Sequence, residues 1–355
     1  MFSHRTNWPF DSNPLMLRLQ ELKERHVKIF DLTESNPTRA GFVYPQKEIL
    51  KSFGKAANML YQPQAFGDMK AREAICRMYR NQGMDVKPSQ VILTSSSSEA
   101  YSFLFRLLLN PQDVVLFPSP SYPLFDCLAQ LNDVEIKQYP LVYHETWEID
   151  QKRLRAAVTE KTKALVLVSP NNPTGSCVNE KELSVIDQVC REKNLAIICD
   201  EVFFDYVFEG EKNKTRSLAG HKPVLTFTLG GLSKSLGLPQ MKLSWIVVSG
   251  PQEHVTQALQ RLEIIADTYL SVNTPSQNAL ADWLLQKEYM QRQVKDRIEK
   301  NKKVLGAFCP KAPLELLHAQ GGWYGMVRLL KATSEEVWVL DLLERAHVLV
   351  HPGYF

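Results

Sequence analysis

Residues 164–175 read ALVLVSPNNPTG, and residues 195–201 read LAIICDE. Each segment opens with a short, unbroken apolar run and ends abruptly in polar residues. A run of this length, rich in Val, Ile and Leu and without alternation, suits a strand buried on both faces. Between the two, Asn179–Lys193 carries Leu183, Ile186, Val189 and Cys190 at three- and four-residue spacing, the apolar stripe of a helix. Strand, helix and strand in this order predict a parallel βαβ unit, and so an α/β domain.

The same alternation extends outward from about Gly67 to Ser249. Further apolar runs stand at Val91–Thr94, Val114–Phe117, Val224–Leu229 and Leu243–Ser249, with a helical pattern over Ser98–Leu109. Residues 45–255 are therefore expected to form a large domain, a mostly parallel sheet sandwiched by helices. The flanks differ. Pro251–Leu305 is helical, long and charged, and short strand-like pieces follow around Gly322–Leu329 and Val348–His351. Residues 1–44 and 256–355 are expected to build a smaller α+β domain, with the binding cleft between the two. A chain of 355 residues exceeds the size at which a single core keeps growing.

Composition excludes several classes. Lys and Arg number 42 against 39 Asp and Glu, a formal net charge of +3, and no stretch interleaves basic with aromatic residues. No nucleic-acid partner is expected. The six cysteines form no C-x-x-C pair, so zinc and dithiol chemistry are not expected, and reduced thiols fit the cytoplasm. Met1–Asp11 has no apolar core of signal-peptide type, and no apolar run approaches the roughly 18 residues that span a bilayer. The expectation is a soluble, cytoplasmic chain with no membrane partner.

In an open parallel sheet, ligands bind beyond the carboxyl ends of the strands. Four polar segments follow the apolar runs there. Ser95, Ser96, Ser97 and Ser98 open a helix whose free amides attract an anion such as phosphate; a plain serine N-cap is the simpler reading. Ser169–Gly175, with two Asn, two Pro and a Gly, is a stiff turn able to hold the Asn172 amide in place, or a turn with no other role. Asp200 ends a buried strand, where a carboxylate is costly unless it meets a cation; an exposed loop acid is the alternative. Lys234 stands among small residues in Gly230–Gly237, able to approach a ligand closely, or exposed as most lysines are. Taken together, the four match the needs of pyridoxal 5′-phosphate (PLP). Its phosphate takes amides and cations, its ring nitrogen a carboxylate, and its aldehyde a lysine amine.

From about Asp31 to Phe355 the chain resembles the class I/II aminotransferase family of fold-type I PLP enzymes. Asn172-Pro173-Thr174-Gly175 resembles the family's N-P-T-G turn, Asp200-Glu201-Val202 its D-E-[IV] strand end, and Ser233-Lys234 its S-K site. The resemblance implies that Lys234 forms a Schiff base and moves the substrate's α-proton. It also implies that Asp200 pairs with the ring nitrogen and Asn172 bonds the phenolic oxygen. Pro120-Ser121-Tyr122-Pro123 is similar to a segment whose aromatic ring stacks on the cofactor, here Tyr122. Ser95, Ser96 and Ser97, with Ser233 and Lys242, correspond to the phosphate site. Tyr61-Gln62-Pro63, with Gly67 and Ala71–Ile75, resembles a stretch whose Tyr reaches the neighbouring subunit's phosphate, which implies a homodimer. Asp31–Thr38 resembles the first strand and loop, placing Ser35 and Asn36 at the substrate. The implied reaction moves an amino group from an amino acid to a 2-oxo acid.

Four departures from the family pattern stand out. Phe203 occupies a position that usually carries a hydroxyl-donating Tyr. Gly231 replaces a phosphate-binding Ser. Lys242 replaces an Arg and lacks its bidentate fork. His351–Phe355 resembles the element that precedes the family's carboxylate-gripping Arg, and the sequence ends there. The C-terminal part is therefore expected to be incomplete, or the carboxylate to be held otherwise, with Arg39 as the substitute and Arg328 a weaker one. Two other functions share the motifs: a PLP-dependent C–S β-lyase or related eliminating enzyme, and a non-catalytic protein on this fold.

Overall fold

The computed structural model describes residues 1–8, 13–330 and 334–353. Among these, the strands are β1 (Phe30–Asp31), β2 (Val91–Thr94), β3 (Val114–Ser119), β4 (Glu135–His144), β5 (Thr146–Ile149), β6 (Thr162–Val168), β7 (Ala196–Asp200), β8 (Thr226–Gly231), β9 (Ser244–Ser249), β10 (Leu314–Leu316), β11 (Val327–Leu329) and β12 (Val348–Leu349). Eight of them form one sheet in the order β2-β9-β8-β7-β6-β3-β4-β5. The pairs β8–β7, β7–β6, β6–β3 and β3–β4 are parallel, while β9 and β5 run against their neighbours. The mixed α/β architecture with a mostly parallel sheet is the expected one. All six apolar runs read from the sequence are strands of this sheet.

β4 and β5 are the additions. Their residues are largely half-exposed or exposed, because they lie at the sheet's edge. Glu135, Lys137 and Pro140 sit in β4, and polar residues and Pro are tolerated where one side faces water.

The sheet is covered on both faces. Ile92, Phe117, Val166, Ile198, Phe227 and Ile246 pack beneath the helices Ser97–Leu108 and Gln252–Tyr269. On the other face, Leu93, Trp245 and Val247 meet the helices Met69–Asn81 and Thr274–Leu284. Leu165, Leu167, Ile197 and Cys199 meet Glu180–Lys193. Of these helices, Gln252–Tyr269 straddles residue 255, where the sequence reading set the end of the sheet-bearing domain, and Thr274–Leu284 lies past it. Val255, Leu262, Leu280 and Trp283 are core residues of the sheet. Their periodicity shows an apolar stripe but not what the stripe faces.

The two chain ends meet. Leu15, Leu19 and Leu22 of the helix Pro14–Glu24 pack on Val339 and Leu343 of Glu335–Ala346, and β1 pairs in parallel with β12. Of the strand-like piece Gly322–Leu329, only Val327–Leu329 is a strand, paired with β10. Tyr354 and Phe355 of the C-terminal motif lie outside the described residues. No helix among the described residues is long and apolar enough to cross a membrane.

Candidate active site

Asp200 is the last residue of β7 and only 7% exposed. Its Oδ2 accepts from the Tyr101 hydroxyl at 3.1 Å, and its Oδ1 from the Val202 amide at 3.1 Å. Burial pushes the carboxyl up to about 6. The two hydrogen bonds and the charge of Lys234 pull it back. Tyr101 comes from the helix Ser97–Leu108. Burial first, and Asp200 second, raise its phenol well above the usual range, so it stays a donor. An acid this deep, held by neutral donors, is suited to a cationic ligand atom.

Lys234 follows β8 in the short helix Leu232–Ser235. Its Nζ lies 5.4 Å from the Phe203 ring centroid and 5.0 Å from that of Trp323. The ring faces favour the ammonium form; burial lowers the amine's pKa, with Asp200 opposing. Lys242, which the resemblance assigns to the phosphate site, is exposed. The Tyr206 hydroxyl donates to the Lys234 carbonyl at 2.8 Å, fixing the backbone beneath the amine. Trp323 packs edge-on against both Phe203 and Tyr206, and its indole Nε1 is buried without a hydrogen-bond partner among the described residues.

The turn after β6 is braced from two sides. Asn171 Nδ2 donates to the Pro120 carbonyl at 3.0 Å and to Thr174 Oγ1 at 2.9 Å. Gly175 has φ +68°, and a Cβ there would lie 2.5 Å from the Gly321 carbonyl and 2.6 Å from Ala319 Cβ. Both its backbone and its contact require glycine. In return, the amides of Gln320 and Gly321 donate to the Gly175 carbonyl at 2.9 and 3.0 Å. This backbone-to-backbone contact lays the segment 319–324 across the sheet end and brings Tyr324 to Asn172. Burial raises the Tyr324 phenol; hydrogen bonding with Ser35 and Asn172 holds it back. Ser35 and Asn172 thus lie near the Tyr324 hydroxyl.

Around the expected phosphate site the hydroxyls are partly spent. Ser96 Oγ accepts from the Glu99 amide at 3.1 Å, an N-cap, and the Ser95 amide donates to Glu99 Oε2 at 2.7 Å. The first-turn amides of Ser97 and Ser98 gain no acceptor from their own helix. Ser233 is half-buried.

The remaining expected residues lie further out. Tyr122 is 48% exposed and Tyr61 73%. Asn36 Oδ1 is used by Thr38, at 3.0 Å from its amide and 2.8 Å from its hydroxyl. Arg39 is exposed and forms no ion pair among the described residues. Arg328 pairs with Glu315 and lies over the Tyr143 ring. Tyr101, Trp323 and Tyr324 were not anticipated. The signal for Tyr101 was a phenol on an otherwise apolar helix stripe, and for the other two an aromatic pair directly after Gly321-Gly322.

The sequence matches the family model described as aminotransferase class I and II over residues 28–355. The chain belongs to that family. It is 29% identical over 269 residues to the glutamate-pyruvate aminotransferase AlaA of Escherichia coli K12, a match covering 75% of this chain and 66% of the relative, just under two thirds of its length. AlaA of Haemophilus influenzae is 27% identical over 349 residues, covering 96% of this chain and 86% of the relative. Among solved structures, an alanine aminotransferase from Pyrococcus furiosus superposes with a TM-score of 0.88 at 25% identity, over 100% of this chain and 92% of that one. Its structural neighbours are aminotransferases of fold type I.

Proposed function

We propose that this chain is a PLP-dependent aminotransferase that moves an amino group from an amino acid to a 2-oxo acid. One observation carries the reading: a half-buried lysine with an amine of lowered pKa, Lys234, shares a strand-end site with a buried acid, Asp200, whose pKa is raised. The residues fit the cofactor. The deep carboxylate suits a protonated ring nitrogen, the amine suits an aldehyde, and the free amides at Ser97 and Ser98 suit a phosphate. When bound, PLP supplies an electrophilic carbon for Lys234 and a protonated ring that stabilises the charge left by Cα–H cleavage.

The chain's own groups do the rest. Lys234, its pKa lowered by burial, takes the substrate α-proton on its Nζ and returns it nearby. Asp200, kept by Tyr101 and the Val202 amide, holds the ring proton. Asn172 orients the cofactor's phenolic edge, and Ser35 and Tyr324 close the substrate side. Phe203 and Trp323 exclude water around the amine. Tyr122, Ser95, Ser96, Ser97, Ser233 and Lys242 are assigned to cofactor contacts in the same reading.

The chain is further proposed to act as a homodimer in which Tyr61 reaches the neighbouring site. Met59, Leu60 and Tyr61 stand exposed together, an apolar run suited to burial against a second copy. The six thiols are unpaired, in keeping with a cytoplasmic location. The smaller domain is proposed to combine residues 1–44 with the chain after Leu284 rather than from residue 256, a reading supported by the packing of Thr274–Leu284 on the sheet.

The test is an absorbance spectrum of the PLP-loaded protein as single amino acids are added without a 2-oxo acid. L-Alanine and L-glutamate come first, because relatives carry those names. Conversion of the lysine-bound band to a pyridoxamine-type band, with stoichiometric 2-oxo acid, is expected. Catalytic release of pyruvate and ammonia instead would replace this reading with elimination.

A further inference from the structure

Gly231 ends β8 with φ −179°, extended backbone that any residue adopts. Nothing in its conformation asks for glycine. What it lacks is room: a Cβ there would overlap the Ser244 hydroxyl and lie 3.1 Å from Ser244 Cβ. Ser244 begins β9 and is the cross-strand partner of Gly231 on one side and of Thr94 on the other. Cross-strand partners share a face of the sheet, so Thr94, Ser244 and position 231 form one row across three adjacent strands.

That row sits between the two segments assigned to phosphate. The Thr94 hydroxyl donates to the Ser96 carbonyl at 3.1 Å, so the row faces the loop that opens the helix Ser97–Leu108. Past Gly231 the chain runs directly into Ser233 and Lys234. Ser244 is only 3% exposed, yet its hydroxyl has no hydrogen-bond partner among the described residues. Its hydroxyl is unspent and able to donate to a ligand, and Thr94 ties the row to the loop that opens a twelve-residue helix with free first-turn amides.

We propose that Ser244 is a phosphate-binding residue: it delivers from β9 the hydroxyl that position 231 lacks on β8, and Gly231 is glycine because Ser244 fills its side-chain volume. The ligand is the phosphate monoester of the cofactor, so the assignment rests on the PLP reading above.

Titration of the cofactor-free protein with PLP, and in parallel with pyridoxal, tests this by the equilibrium dissociation constants. Ser244→Ala is expected to weaken PLP about tenfold, the effect of one hydrogen bond to a charged group, and to leave pyridoxal unchanged. Ser244→Gly should match it. The exchange Gly231→Ser with Ser244→Gly should restore PLP affinity to within about threefold, since the hydroxyl returns from the other strand. Unchanged PLP affinity in Ser244→Ala, equal weakening of PLP and pyridoxal, or a double variant no better than Ser244→Gly overturns the assignment alone. A wild-type chain that binds no PLP overturns the cofactor reading with it.

Discussion

The two halves of the candidate site are finished to different degrees. Around Lys234 every group is enclosed by its own chain: Asp200 by Tyr101 and Val202, and the amine by Phe203 and Trp323. Around Tyr122 and Lys242 the site stands open, and Tyr61 projects outward at 73% exposure. The enclosed half sets proton affinities, which need a low dielectric and fixed partners. The open half offers contact surface. The proposed chemistry of this site thus draws on one chain, and the open half is where the proposed second copy would act.

The largest test of the enclosed half is Lys234→Ala. It should abolish the lysine-bound absorption band and lower turnover by at least about 10³-fold, read by spectroscopy and steady-state kinetics. Full activity in this variant would overturn the mechanism.

Asp200→Asn should lower turnover by about 10²-fold or more and also shift stability with pH. The folded carboxyl is raised from 3.8 to about 6, so the folded chain holds that proton more tightly than the unfolded one. Its stabilising contribution is full below about pH 4 and lost as pH rises through about 6, on the order of 3 kcal/mol at most. Glu201, pushed up to about 7 by burial, adds a loss of the same sign. Urea melts of the cofactor-free protein should show wild type weakening from pH 5 to pH 7.5, and Asp200→Asn weakening less. Equal slopes would mean that Asp200 is better solvated than its burial indicates.

The open half is tested by mixing. Tyr61→Ala should weaken PLP about tenfold and be poorly active alone, as is Lys234→Ala. Unfolded and refolded together, the two should regain activity, because a mixed dimer has one site with both wild-type residues. Failure of the mixture to exceed either variant would confine the site to one chain.

Tyr324→Phe keeps the ring against Phe203 and removes the hydroxyl that lies near Ser35 and Asn172. A severalfold rise in KM with little change in kcat is expected. Arg39→Ala marks the bottom of the scale. The side chain is exposed and unpaired among the described residues, and a KM change under about twofold is expected. A tenfold rise would restore Arg39 as the residue that grips the substrate carboxylate.

Legibility in the sequence followed burial. β2, β3 and β6 to β9 are enclosed on both faces, so apolar runs betrayed them. β4, at the half-wet edge, carries Glu135, Lys137 and Pro140 and shows no such run. Paired stubs such as β1 with β12 are too short to have a period at all. Within the site, Lys234, Asp200 and Asn172 were readable because strand ends announce themselves by a change from apolar to polar. Tyr324 and Trp323 were not, because they reach the sheet through a tertiary contact that no local pattern encodes. The helices Gln252–Tyr269 and Thr274–Leu284 show the same limit, since amphipathicity names a face and not its partner.

The meeting of Gly175 and Gly321 has a consequence for how this protein can vary. A side chain at Gly175 would strike the Gly321 carbonyl, and one at Gly321 the Pro170 ring and the Tyr206 carbonyl, so residues from three parts of the gene close on one joint. Neither glycine has room for a side chain, and a change at one is not relieved by a change at the other. Variation in substrate preference would then have to enter through the residues that ride on this joint, Tyr324 and Trp323, and leave the joint itself untouched.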